Sequence, residues 1–359
     1  MGSKIWKTAL HSRSLMLAAA VFSMCSMPVA ADPVETFYRG RTITLIVGYG
    51  PGGGYDVYAR HFARHFGKHV PGQPTIVVQN MPGAGSLVAA NHLYNAAARD
   101  GSVIGTFARD MALTALLQAN PNIRFDPRKF TWIGTPASSA EDVYLTFVRK
   151  EAAVKNASAV FGAGVTEVVL GGTGSGSGGN DWALLLRDGL GMRIKLIPGY
   201  RDSSALFLAV ERGEIDGRSL DYSAVRSSRP LWLHPDSPVR VLLQFGRMTR
   251  HRDFPDVPLA RDFATTPEQI ALLDLADLSN TLARPFTAPP GIPGDRTAAL
   301  RKAFLAMGKD ADYRAEGVKL RIDVSPMGGE EITKTIERMA ASPPAVLARM
   351  RAIRESASK

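Results

Sequence analysis

The chain has 359 residues, of which 45% are hydrophobic and 21% charged. At roughly 100–200 residues per domain this makes two domains or one two-lobed fold with a substantial core, and it excludes wholesale disorder. A single cysteine excludes a disulfide framework, a thiolate metal cluster and a CxxC redox pair. The net charge of +10 includes no block of like charges, so the mark of a nucleic-acid-binding tail is missing.

The chain opens on Lys4, Lys7 and Arg13, then an apolar stretch over 15–25, then Pro28-Val29-Ala30-Ala31. Basic start, short apolar run and small residues together predict a secretory signal peptide over 1–31, cleaved near Ala31. The run is shorter than the ~20 residues of a membrane span. Bulky Met24 before Cys25 makes a poor context for a lipid anchor. The expected location is the periplasm, and the remaining chain keeps no cysteine.

From there strands and helices alternate. Thr42–Val47 is a strand candidate, followed by the glycine turn 48–54 and a helix over 55–69 with Ala59, Phe62, Ala63 and Phe66 on one face. Residues 75–79 form a second strand, 80–85 a turn and 86–98 a helix. A strand over 103–106 leads to a helix over 110–118. Strands over 143–148 and 165–170 precede a second glycine turn, 171–179, and a helix over 180–189. A strand over 193–197, a helix over 203–212 and a strand over 239–244 follow. The last third is mostly helical, over 267–276, 296–308, 329–341 and 344–353. This βαβα alternation predicts α/β lobes with mostly parallel sheets.

Open α/β sheets hold ligands beyond the carboxyl ends of their strands. There a helix N-terminus offers unpaired N–H groups and partial positive charge, and glycines let the backbone come close. Such turns suit carboxylate, phosphate or sulfate. The turn 50–55 lacks the Gly-Lys-Ser/Thr of a nucleotide loop. Residues 174–179 spell G-x-G-x-x-G, yet the next strand ends at Ile197-Pro198-Gly199-Tyr200 with no acid to bond a ribose. Neither turn contains the G-x-S-x-G of a hydrolase elbow. Arg109 and Arg201 each follow a strand, where a guanidinium fork matches a carboxylate. Asp56 stands where it either caps helix N–H groups or meets a ligand. His61, His65 and His69 share one helix edge at a spacing that suits a metal, but no nearby carboxylate completes the set, so a solvated edge is expected and no metal. No cofactor and no catalytic constellation are expected.

At these turns the sequence resembles a known family. Phe37-Tyr38-Arg39-Gly40-Arg41-Thr42-Ile43, Ile46-Val47-Gly48-Tyr49-Gly50-Pro51-Gly52-Gly53-Gly54-Tyr55-Asp56 and Val78-Gln79-Asn80-Met81-Pro82-Gly83-Ala84-Gly85-Ser86 resemble the opening of the tripartite tricarboxylate transporter substrate-binding proteins, the Bug family. Arg99-Asp100-Gly101, Phe125-Asp126-Pro127, Trp132-Ile133-Gly134, Gly213-Glu214-Ile215-Asp216, Phe254-Pro255-Asp256-Val257-Pro258 and Ala288-Pro289-Pro290-Gly291-Ile292-Pro293 fall in the family's order.

The resemblance implies a two-lobed periplasmic-binding-protein (type II) fold, each lobe a mostly parallel sheet flanked by helices. Residues 32–137 and 246–359 make one lobe and 138–245 the other. It also implies a cleft that closes on a small carboxylate, held through backbone N–H groups and water, and delivery to membrane permease subunits. The binding residues it implies are Tyr49, Gly53, Gly54, Tyr55 and Asp56 with Thr106 and Arg109 in the first lobe. In the second they are Thr173, Ser175, Ser177, Asn180, Tyr200, Arg201 and Asp221. The chain departs from the family at Gly50-Pro51, Arg109, Asn180-Asp181 and Gly199-Tyr200-Arg201, so ligand identity is not implied. A monomer is expected. Two rival functions are a sensor whose closed form signals to a receptor kinase without transport, and an exported enzyme, which the lack of a nucleophile–base pair disfavours.

Overall fold

The computed structural model describes residues 32–118, 120–138, 142–161, 166–174 and 176–356. The expected signal peptide lies outside them. Eleven strands occur among the described residues. In chain order they are β1 (Thr42–Val47), β2 (Thr75–Asn80), β3 (Val103–Thr106), β4 (Thr131–Thr135), β5 (Tyr144–Arg149), β6 (Val168–Gly171), β7 (Ile194–Ile197), β8 (Gly217–Asp221), β9 (Val239–Phe245), β10 (Phe286–Ala288) and β11 (Met327–Gly328). They form two sheets, in the orders β11-β4-β10-β3-β1-β2 and β7-β6-β8-β5-β9.

Both sheets are mixed. β1 pairs parallel to β2 and β3, and β10 runs against both β3 and β4. In the second sheet β6 pairs parallel to β7 and β8, while β5 runs against β8 and β9. The chain thus builds four strands of the first sheet, crosses to build the whole second sheet, and returns to insert β10 and β11.

β1 is rich in β-branched residues, and its last three are buried, as expected of a strand covered on both faces. The helix Gly54–Phe66 that follows packs Ala59, Phe62 and Phe66 onto one face of the first sheet, Phe62 stacking on Phe286 of β10 at 4.2 Å. Burying a Phe side chain stabilises by roughly 1.5–3 kcal/mol. On the outer face of the second sheet Phe147, Phe207 and Trp232 form a separate core. A third cluster joins the lobes and includes Leu87, Phe107, Trp182, Leu273 and Ile353.

The helix predicted over 180–189 starts at Gly178 and ends in a π-helical turn, Leu185–Gly189. The last helix, Pro344–Glu355, packs against that π turn and against the helices Gly178–Leu184 and Pro267–Thr281. The terminal helix of the chain therefore lies against elements of the second sheet, not only beside the lobe to which its position in sequence assigns it.

Candidate functional site

The two glycine turns face each other. The first leaves β1 at Val47 and enters the helix at Gly54, and the second leaves β6 at Gly171 and enters the helix Gly178–Leu184. Several of their glycines stand where a side chain would clash. A Cβ on Gly50 would lie 2.6 Å from Asp202 Oδ2, and one on Gly178 would lie 2.1 Å from the Tyr144 hydroxyl. Gly174 stands against the backbone of Gly85 in the other lobe. Between the turns is a cavity of about 40 Å³, above the ~10–15 Å³ a single water requires.

The first lobe contributes Tyr49, Gly53, Gly54 and Tyr55 to the lining, and the second contributes Thr173, Ser177 and Asp221, all expected from sequence. Neither helix that follows a glycine turn has its N-cap residue's side chain bonded to its first turn. The Ser177 hydroxyl donates instead to the Gly174 carbonyl at 2.7 Å. By contrast Asp202 and Asp221, at the same cavity, cap their own helices by accepting from Ala205 N and Ala224 N. Uncapped first-turn amides leave donors for a guest.

Six other expected residues lie off the lining. Asp56 faces its own loop, accepting from Gly52 N–H, Asn80 Nδ2 and Arg60 Nε, each at 2.9 Å. Burial pushes its carboxyl up, but these bonds outweigh burial and hold it below the usual carboxylate range. Arg109 is buried with Nη2 3.6 Å from Asp221 Oδ2, and its backbone N–H donates to the Tyr55 hydroxyl at 3.0 Å. Thr106 and Asn180 are buried, and their side-chain polar atoms have no hydrogen-bond partner among the described residues. Tyr200 packs on the outer core of the second sheet. The Arg201 side chain is 76% exposed and pairs with Asp202 at 3.0 Å. Ser175 lies outside the described residues.

The cations that do line the cavity are Arg218 and Arg284. Arg218 is the second residue of β8, donating through Nη1 to the Ser203 carbonyl at 3.1 Å. Arg284 precedes β10, is 1% exposed, lies 4.1 Å from the Tyr58 ring and bonds Asp221 Oδ1 through Nη2. Among the described residues Arg218 Nε and Arg284 Nε and Nη1 have no hydrogen-bond acceptor. Burial pulls the Arg218 guanidinium down to about 10, which still leaves it charged near neutral pH. Burial pushes Asp221 up, but Arg284 and Arg109 outweigh it and hold its carboxyl far below the usual range. Burial and the Asp221 charge push Asp142 up, towards its neutral form. The guanidinium groups of Arg109, Arg218 and Arg284 thus gather with the carboxyls of Asp142, Asp202 and Asp221, Arg284 Nη1 lying 3.7 Å from Asp142 Oδ2.

Sequence reasoning missed both arginines. β8 reads Gly-Arg-Ser-Leu-Asp, with no alternation to mark a strand, yet all five positions are buried. Arg284 sits in a short connector, and its one signal is a lone charge just before Pro285 and the segment Phe286-Thr287-Ala288.

Comparison with known proteins follows the same lines. Protein BugT of Bordetella pertussis is 36% identical over 121 residues, a match spanning 34% of this chain and 34% of that relative. A structure of the periplasmic binding protein BugD superposes with a TM-score of 0.67 at 19% identity, covering 88% of this chain and 98% of that one. The chain resembles the Bug proteins in sequence and shares their two-lobed α/β fold. MatC from Rhodopseudomonas palustris, solved with malate, has a TM-score of 0.62 at 22% identity over 89% of this chain and 97% of its own. An R. palustris protein solved with adipate has a TM-score of 0.67 at 18% identity, over 87% and 97%. These structural likenesses speak for the Bug-type fold. No family model matches the chain.

Proposed function

We propose that this protein is a Bug-type periplasmic solute-binding protein that takes a small organic anion between its lobes and hands it to a membrane permease. What carries the reading is the set of guanidinium donors on Arg218 and Arg284 that line a buried cavity with no acceptor among the described residues. An unmatched buried donor costs about 1–3 kcal/mol, so the closed cleft favours a guest rich in acceptors. Uncapped amides of the two glycine turns grip the same guest from opposite sides. Each charge-assisted bond contributes about 1.5–3 kcal/mol, and a few of them, less ordering costs, reach micromolar affinity near −8 kcal/mol.

The Bug-like sequence and the malate and adipate found with structural relatives support a carboxylate. Among the described residues the cavity lining holds no histidine, cysteine or lysine, which favours capture without chemistry. No helix among the described residues is long and apolar enough to cross a membrane. Closure is driven by the higher affinity of the closed state for the guest. Arg284, just ahead of β10 in the first sheet and bonded to Asp221 at the end of β8 in the second, ties the first lobe to the second.

Native mass spectrometry of the freshly purified protein tests the reading. The expected result is one retained small acid per chain, lost from Arg218→Met. A retained uncharged or cationic molecule contradicts it.

A further inference from the structure

The histidine row 61–65–69, expected to be a solvated edge, is covered by the helix Ala311–Lys319 and the residue that caps it. His65 Nε2 lies 2.5 Å from Glu316 Oε2, and His69 Nε2 lies 2.9 Å from Asp310 Oδ2. His61 is fully buried, stacked on the Tyr313 ring at 4.1 Å, with Nε2 2.9 Å from the Tyr313 carbonyl. Its Nδ1 has no hydrogen-bond partner among the described residues. One ligand atom from each of His61, His65 and Glu316 lies within 4.8 Å of the others. The carboxylate that the sequence lacked nearby is supplied 251 residues away from His65.

We propose that His61, His65 and Glu316 form a binding site for a divalent transition metal of the zinc type, outside the ligand cleft. Two imidazoles four residues apart on a helix, with a carboxylate from a second helix, are a donor set for zinc with a fourth position left to water. The Tyr313 carbonyl only accepts, so the proton of neutral His61 sits on Nε2 and Nδ1 keeps its lone pair. A backbone carbonyl holding the second ring nitrogen is the usual support of a metal-ligating histidine.

Arg64 holds the other oxygen of Glu316, Oε1, at 2.7 Å and leaves Oε2 turned to His65. The side chains of His65 and Glu316 are 12% and 30% exposed, which opens that side of the site to solvent and to the entering ion. A tetrahedral ion with bonds of about 2.0–2.1 Å holds its ligand atoms about 3.3 Å apart, so the 2.5 Å contact between His65 and Glu316 opens by roughly 0.8 Å when the ion enters. Arg64 and Lys68 add positive charge nearby, so the site binds more weakly than a closed four-ligand zinc centre. A bound ion staples the helix Gly54–Phe66, which begins in the first glycine turn, to the helix Ala311–Lys319.

Calorimetric titration of the chelator-treated protein with zinc, together with thermal unfolding, tests this. The expected result is about one ion per chain and a rise in Tm that grows with zinc concentration. Glu316→Gln, a substitution at a partly exposed position, and His65→Asn each weaken binding at least about tenfold. His69→Gln, in the 3-10 turn Gly67–His69 that follows the helix and outside the set, leaves binding unchanged. Circular dichroism checks that each variant is folded. If the parent takes up no zinc, if Glu316→Gln binds like the parent, or if His69→Gln loses binding as strongly, the site is overturned.

Discussion

The two glycine turns are built by the same device with different supports. In each, an aspartate in the first turn of the following helix folds back onto a glycine N–H: Asp56 onto Gly52 at 2.9 Å, and Asp181 onto Gly176 at 3.0 Å. The first turn is self-contained, because the partners of Asp56 are Arg60 and Asn80 and the Arg60 side chain is 45% exposed. The second depends on distant chain. Asp181 accepts from Thr114 of the first lobe at 3.3 Å and pairs with Arg354 of the last helix, with both side chains fully buried. One half of the site is thus set by local sequence and the other by the closing of the whole fold.

The sharpest way to break this contrast is Arg354→Met. It leaves Asp181 buried and unpaired, and the expected loss is about 3–5 kcal/mol of stability in urea unfolding. A loss no larger than that of Asp56→Asn would remove the contrast. Next is Arg218→Met, which removes a cavity-lining guanidinium. Calorimetry is expected to show ligand affinity falling by about 1.5–3 kcal/mol, with stability changed less.

Asp56→Asn is expected to cost about 1 kcal/mol, and its effect depends on pH. The folded carboxyl lies below its ordinary value, so its contribution is present above the unfolded pKa of about 3.9 and is lost as pH falls through the lower folded value. Urea midpoints of parent and variant should therefore differ at pH 7 and converge in strong acid. The smallest effect is expected from Arg201→Ala. That side chain is mostly exposed, and stability should change by less than about 0.5 kcal/mol. Its affinity should stay well above that of Arg218→Met.

Local pattern explains what the sequence showed. β1 and β3 were legible because β-branched runs end in marked turns, and both glycine turns were legible because close backbone approach demands glycine. The arginines on the lining were not. Arg218 hides in a strand that is buried by its neighbours β5 and β6, not by its own composition. Arg284 acquires its role only from Asp221, 63 residues earlier in the chain. Arg109 illustrates the reverse. It stands at a strand end as expected, but it lies off the lining, its amide bonded to the Tyr55 hydroxyl and its buried Nη2 3.6 Å from Asp221 Oδ2. Glu316 was invisible as a partner of His65 for the same reason of distance along the chain.

The central claim is that the inter-lobe cavity selects negative charge through Arg218 and Arg284. Calorimetric titration of the parent with the acid recovered from it, and with the corresponding uncharged amide, tests that claim most directly. The account predicts micromolar binding of the acid and at least about tenfold weaker binding of the amide, a difference of about 1.4 kcal/mol or more. Equal affinity for acid and amide would contradict it.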